Sequence, residues 1–342
     1  MTVEIKKTLL QFKRPSGTSR GILTQKESWF VILQNNEKRG VGECSLIQGL
    51  SPDATPFFQQ KLHQVAETFS TEKSLPDLSA WPSIKMGFET AMLSLHASQW
   101  WTPFPSPFSR GEDFIAINGL VWMGNKIFMN EQINTLLKKG FNCIKLKVGA
   151  LDFDEELDLI KAIRNEFSAR DVIIRVDANG GFKPHEALDK LNQLSVFDIH
   201  SIEQPIAPNN LEQMALLCQK SPIPIALDEE LIGIYDTIKK EELLKEIQPQ
   251  FIILKPSLLG GFQEAQEWIQ MAKKHKIGWW VTSALETNIG LNAIAQWTYT
   301  LNTKMHQGLG TGSLFTNNID LPLKVEYGRL SVEAGGVWNL NF

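Results

Sequence analysis

The 342-residue sequence predicts an α/β fold: a parallel strand-helix barrel preceded by a smaller α+β unit. From Phe114 onward, short apolar runs recur at even spacing with helical patterns between them. Eight candidate strands, 115–122, 143–148, 172–177, 199–203, 223–228, 251–255, 278–283 and 305–309, suit a closed barrel. Three runs end on an acid: Asp177 after VIIRV, Glu203 after IHSI and Asp228 after IPIAL. The gaps of 26 and 25 residues (203 − 177 and 228 − 203) are about one strand, one helix and two loops.

Ahead of the barrel, residues 1 to about 50 show strand-like alternation, notably SWFVIL, before the glycines of GVGEC. Helical patterns follow over 56–69 and 83–99, where Met86, Thr90, Leu93 and Ala97 form one stripe. The proline-rich stretch WWTPFPSPFSRGED breaks any regular element, which sets a boundary between a capping unit, 1–110, and a barrel, 111–319. Residues 320–342 show no convincing helix.

Composition points to a cytoplasmic enzyme. Apolar content of 43% is ample for a core, and a net charge of −4 gives no footprint for nucleic acid or an anionic membrane. Cys44, Cys143 and Cys218 are odd in number and lack a C-x-x-C pair, so reduced structural thiols are expected. The opening MTVEIKKTLLQF is too short and too charged for a signal peptide, and no apolar run is long enough to span a bilayer. A homo-oligomer is compatible with the sequence.

Active sites of such barrels lie at the strand C-termini, where the three acids fall. Converging carboxylates call for a cation, and an all-oxygen set suits Mg²⁺, with Mn²⁺ as a substitute. In CIKLKV, Ile144, Leu146 and Val148 share one strand face while Lys145 and Lys147 point to the other. In FIILKPS, Lys255 shares parity with Phe251 and Ile253. Inward lysines, desolvated, are expected to have depressed pKa values suited to proton transfer. One strand-end Asp is more often a turn former or helix cap, and one K-x-K a solvated edge. The joint register of five strands outweighs those readings. Asn179 shares parity with Asp177 and suits either a hydrogen bond to a ligand or an Asn-Gly-Gly turn; Glu229 lies behind the ligands or opens the next loop.

The set K-x-K, D-x-N, E-Q-P, D-E and K-P resembles the enolase superfamily, specifically its muconate-lactonizing subgroup. GVGEC (40–44) and SIKMGFETA (83–91) resemble its capping domain, and TSALET (282–287) and GLGTGSLF (308–315) its seventh and eighth strand ends. The resemblance implies an enolase-type (β/α)7β barrel, a modified TIM barrel, with an N-terminal α+β capping domain that the tail 320–342 rejoins. It implies a Mg²⁺-dependent syn-dehydration of 2-succinyl-6-hydroxy-2,4-cyclohexadiene-1-carboxylate, a small-molecule carboxylate, in menaquinone (vitamin K2) biosynthesis, through a metal-stabilised enediolate. Lys147 would be the base, Lys145 would lower its pKa by like-charge repulsion, and Lys255 would hold the enediolate or face the ring. Ser283 and Gly310, Thr311 and Gly312 would meet a second anionic or carbonyl group, unless the glycines only serve the turn. Loops 14–21 and 45–53 would close over the mouth, where Ser19 and Arg20 meet a distal carboxylate or Arg20 stays a solvated charge. N-succinylamino acid racemase and dipeptide epimerase activities use the same lysine pair, although the GLGTG segment lacks the D-x-D of the dipeptide epimerases. Muconate cycloisomerisation fits the end motifs less well, and a non-catalytic binding barrel would have no use for three acids and three lysines.

Overall fold

A computed structural model describes residues 1–18, 21–149 and 152–340. Strands β1 (Thr2–Thr18), β2 (Gly21–Asn35) and β3 (Lys38–Ser45) form an antiparallel sheet in that order. Helices α1 (Phe58–Glu72) and α2 (Pro82–His96) pack on one of its faces, joining Trp29, Val31, Leu33 and Cys44 in one core. The glycines of GVGEC make this packing possible. A Cβ on Gly42 would stand 1.9 Å from the carbonyl oxygen of Gly87, in the middle of α2. Alternation therefore sends Gly40, Gly42 and Cys44 toward α2 and Val41, Glu43 and Ser45 the other way, toward the barrel. Gly42→Ala is expected to destabilise the protein by about 3 kcal/mol, since backbone rather than a flexible side chain must yield. Thermal denaturation checks this, and an unchanged Tm overturns it.

The rest of the chain alternates: β4 (Phe114–Ala116), β5 (Gly119–Val121), α3 (Lys126–Lys138), β6 (Cys143–Lys147), α4 (Phe153–Glu166), β7 (Ile173–Asp177), α5 (Pro184–Ser195), β8 (Ser201–Glu203), α6 (Leu211–Lys220), β9 (Ile225–Leu227), α7 (Thr237–Ile247), β10 (Phe251–Leu254), α8 (Pro256–Leu259), α9 (Phe262–Lys274), β11 (Gly278–Val281), α10 (Asn288–Thr300), β12 (Leu323–Glu326) and β13 (Arg329–Val332). Local chemistry starts several helices. Asn125, Asp152, Asp236 and Thr287 each accept a first-turn N–H of the helix that follows.

Strands β5 to β11 form one parallel sheet in sequence order. Their outward residues, such as Ile144, Leu146, Ile174, Val176 and Ile252, meet the helices in the main core. Inward residues Ala226, Ile253 and Trp280 fill the barrel axis, with Phe251 and Met305 beside them. Arg175 lies over the Trp280 ring at 4.0 Å, one inward position below Asp177.

Two expected strands differ. Segment 115–122 is divided: the Ile117 N–H bonds Gly328 and the Asn118 N–H bonds Gln307, so β4 joins β12 and β13 while β5 joins the barrel. Segment 305–309 forms only isolated bridges, Gln307 to Ile117 and Gly308 to Thr282, which complete the ring between β11 and the first strand. Glycine at 308 permits the approach, since a Cβ there would lie 2.1 Å from the Thr282 hydroxyl. In the tail, Ile319 and Leu321 are buried against Phe30, Ile32 and Val41 of the antiparallel sheet, with Trp338 packed alongside.

Among the described residues no helix is long and apolar enough to cross a membrane. Cys44, Cys143 and Cys218 are free and buried. Burial pushes their thiols up, Cys143 to about 11 and Cys218 to about 12, so the thiolates needed for redox chemistry are suppressed.

Candidate active site

The parallel register sets Lys147 beside Asp177 and Asp177 beside Glu203, at the C-terminal ends of β6, β7 and β8. Lys145 bonds Glu203 and lies 3.0 Å from Asp177. Lys147 lies 3.1 Å from Asp177 and donates to the amide oxygen of Asn179. Lys255, the first residue after β10, pairs with Asp228 at the end of the neighbouring strand β9. Strand parity thus sends all three lysines inward, as the alternation in CIKLKV and FIILK requires.

Their electrostatics correct one expectation. Burial, the largest single influence, pulls Lys145 and Lys255 down, yet the facing carboxylates more than offset it. Both ammonium groups are held above the ordinary lysine range, not below it. Asp177 shows the reciprocal effect: burial opposes its ionisation, but Lys145, Lys147 and Lys255 hold it well below the usual carboxylate range.

The lysines also supply counter-charge that the sequence alone assigns to a metal. As posed, each acid reaches a lysine, and among the described residues no three acidic or metal-ligating side chains form a ready ligand set. Glu203 nevertheless marks a deficit. Burial and the neighbouring Asp177 and Asp228 drive its pKa well above normal despite Lys145, and its Oε1 is buried with no hydrogen-bond partner among the described residues. An orphaned carboxylate oxygen amid three strand-end acids fits a hard divalent cation, and the donor set is all oxygen.

Asn179 adopts the expected turn. It takes φ +45° in the turn, its backbone N–H bonds Asp177, and its side-chain nitrogen donates to Glu229 at 3.2 Å. Glu229 is buried in the short helical turn Glu229–Leu231 after β9, behind Asn179. Ser283 and Thr311 share a 2.7 Å hydrogen bond, and both line a cavity of about 450 Å³ with Gly310, Gly312, Lys145, Lys147 and Lys255. Asp177, Asn179 and Glu203 line it too, while Asp228 does not. Ser19 and Arg20 lie outside the described residues. Leu23, Ile47 and Leu50 reach the cavity from the antiparallel unit.

Sequence reasoning missed Trp122, whose ring lies 5.8 Å from the Lys147 ammonium. Its parity with Leu120, which also faces the cavity, was the available signal. Among the described residues the only acids lining the cavity are Asp177 and Glu203, each engaged by lysine, whereas Lys145, Lys147 and Lys255 contribute positive charge at the strand ends.

A family model described as Enolase C-terminal domain-like matches residues 129–336. An o-succinylbenzoate synthase from Desulfotalea psychrophila is 45% identical over 97% of this chain and 99% of its own. The chain belongs to the enolase superfamily, in the o-succinylbenzoate synthase family. The crystal structure of MenC from Desulfotalea psychrophila matches with a TM-score of 0.87 and 41% identity, covering 97% of this chain and 99% of that one. The L-Ala-D/L-Glu epimerase from Bacillus subtilis has a TM-score of 0.83 at 19% identity, covering 98% of this chain and 97% of that one, a likeness of fold alone. These superfamily relatives share the (β/α)7β barrel with its α+β cap.

Proposed function

We propose that this enzyme eliminates water from 2-succinyl-6-hydroxy-2,4-cyclohexadiene-1-carboxylate to give o-succinylbenzoate, a hydro-lyase step in menaquinone biosynthesis. The observation that carries the reading is the charge of the site: three inward lysines at the strand ends and, among the described residues, no lining acid left unengaged for a substrate ammonium group. Such a site suits a substrate with two carboxylates. A dipeptide epimerase must instead meet a free α-ammonium, and among the described residues no acid lining the cavity is free of a lysine to do so.

Lys147 is the base in this scheme. It contacts one carboxylate and a neutral amide oxygen, so it is less committed to ion pairing than Lys145, which spans two carboxylates. As an amine it takes the proton from C1, and the C–H electron pair becomes the new ring double bond as the C6–O bond breaks. The same nitrogen returns that proton to the departing hydroxyl, so water leaves and the ring becomes aromatic. Lys145 meets the ring carboxylate as a cation. Lys255 faces the site from β10 and acts through charge. Asp177, Glu203 and Asp228 would hold Mg²⁺ or Mn²⁺, which when bound supplies Lewis-acid stabilisation of the charge that the substrate carboxylate gains. Ser283 and Thr311, with the backbone of Gly310 and Gly312, take the succinyl end.

Comparing kcat/KM for the cyclohexadiene substrate with that for N-succinylamino acids and dipeptides tests the reading. A preference of about 100-fold or more for dehydration is expected. A ratio near one, or one favouring racemisation, identifies an amino-acid racemase instead.

A further inference from the structure

The catalytic scheme leaves the acid of GVGEC unused, yet Glu43 is 1% exposed and accepts hydrogen bonds on both carboxylate oxygens. It projects from β3 toward the barrel, where its carboxylate accepts the Thr287 N–H at 2.9 and 3.0 Å, the Gly290 N–H at 3.0 Å and the Thr287 hydroxyl. Those N–H groups open α10, so a residue of the antiparallel unit satisfies the helix terminus of the barrel. The Ser28 hydroxyl also donates to it, at 2.7 Å.

Lys26 on β2 extends the chain. Its ammonium donates to Ser28 at 2.9 Å and Ser45 at 2.7 Å, and the Ser45 hydroxyl donates to the Ala284 carbonyl at 2.9 Å. The Ala284 N–H donates to Glu286, which also accepts from Ser257, two residues past Lys255. Both backbone groups of Ala284 are therefore held. Its neighbours Ser283 and Leu285 line the catalytic cavity. Leu285 has φ +60°, a conformation that L side chains rarely adopt and that persists only where the surroundings fix it. The residues gripped by the network flank that strained position on both sides.

We propose that Glu43 and Lys26 are positioning residues of the active site: by holding Ala284, Thr287 and Gly290 they set the loop that carries Ser283 and Leu285 into the cavity. The antiparallel unit thereby completes the catalytic wall as well as covering it. Only the kinetic arm of the following test rests on the dehydratase reading.

Two variants attack the contact from opposite sides. Glu43→Gln turns an amide NH₂ toward N–H donors, and Gly290→Ala, without changing any charge, places a Cβ 2.8 Å from both Glu43 Oε2 and Glu286 Cγ, the two carboxylate side chains of the network. Hydrogen–deuterium exchange over 282–291 is read beside kcat, KM and a thermal melt, with Lys26→Met as a third variant. Exchange over 284–290 is expected to rise about tenfold or more while the barrel strands stay protected. KM is expected to rise about tenfold with kcat changing less than about threefold. Unchanged exchange in folded Glu43→Gln overturns the proposal, as does raised exchange with an unchanged KM, which would mean the contact only joins the two units. If Glu43→Gln does not fold, Gly290→Ala decides by the same criteria. A wild-type enzyme unable to dehydrate the cyclohexadiene counts against the proposed reaction, and KM is then read on the N-succinylamino acid or dipeptide that it does turn over, beside the same exchange measurement.

Discussion

Lys147→Arg is expected to lose at least about 100-fold in turnover, the usual contribution of a sole general base, while Lys255→Arg retains measurable dehydration. The two lysines face one cavity from β6 and from the end of β10, and a racemase would use them alike. Dehydration on one face needs a single group to take and return a proton. A guanidinium cannot deprotonate, so arginine at 147 removes the base even where it preserves the charge. Lys255 is drawn into its pair with Asp228, and a guanidinium can keep that pairing. Stopped assays of both variants at saturating Mg²⁺, with a melt to verify folding, separate the cases. Equal inactivity points to two bases and to racemisation. Robust turnover by Lys147→Arg removes Lys147 from the base role.

The inward aim of these lysines was legible because strand parity is a strict period of two, and the spacing of Asp177, Glu203 and Asp228 was legible because each barrel repeat has nearly constant length. Their mutual pairing was not. Whether Lys145 reaches Asp177 or a metal takes that place depends on side-chain distances that no pattern encodes. The same limit hid the raised pKa of Lys145, since burial and three carboxylates oppose one another there and only geometry sets which dominates. The division of 115–122 turns on where two adjacent N–H groups find acceptors, Gly328 and Gln307, far along the chain. GVGEC could be matched as a motif, but its reason lies in α2 on one side and α10 on the other, both long-range partners.

Asp177→Ala is expected to abolish turnover, by about a thousandfold or more, and to abolish Mg²⁺ binding in calorimetry. The charge balance makes the binding measurement the sharper of the two. Three lysines already offset the three acids (3 − 3 = 0), so charge alone does not demand a metal. The demand comes from the partnerless Glu203 Oε1, buried beside Asp177 and Asp228. If that oxygen awaits a cation, Glu203→Gln loses Mg²⁺ affinity as fully as Asp177→Ala does. Stability should separate the two variants. Asp177 holds Lys145, Lys147 and the Asn179 N–H, so removing it leaves Lys147 with a neutral amide oxygen in place of a carboxylate and Lys145 with Glu203 alone, and should destabilise the fold by about 3 kcal/mol. Glu203 has only Lys145, which keeps Asp177 as a partner, so Glu203→Gln should cost less. Melts in EDTA, which should also inactivate the wild-type enzyme until Mg²⁺ or Mn²⁺ is restored, read this difference without interference from the metal. Full activity in Asp177→Ala, or undiminished Mg²⁺ binding by Glu203→Gln, would remove the three acids from the ligand role and leave them as counter-ions to the lysines.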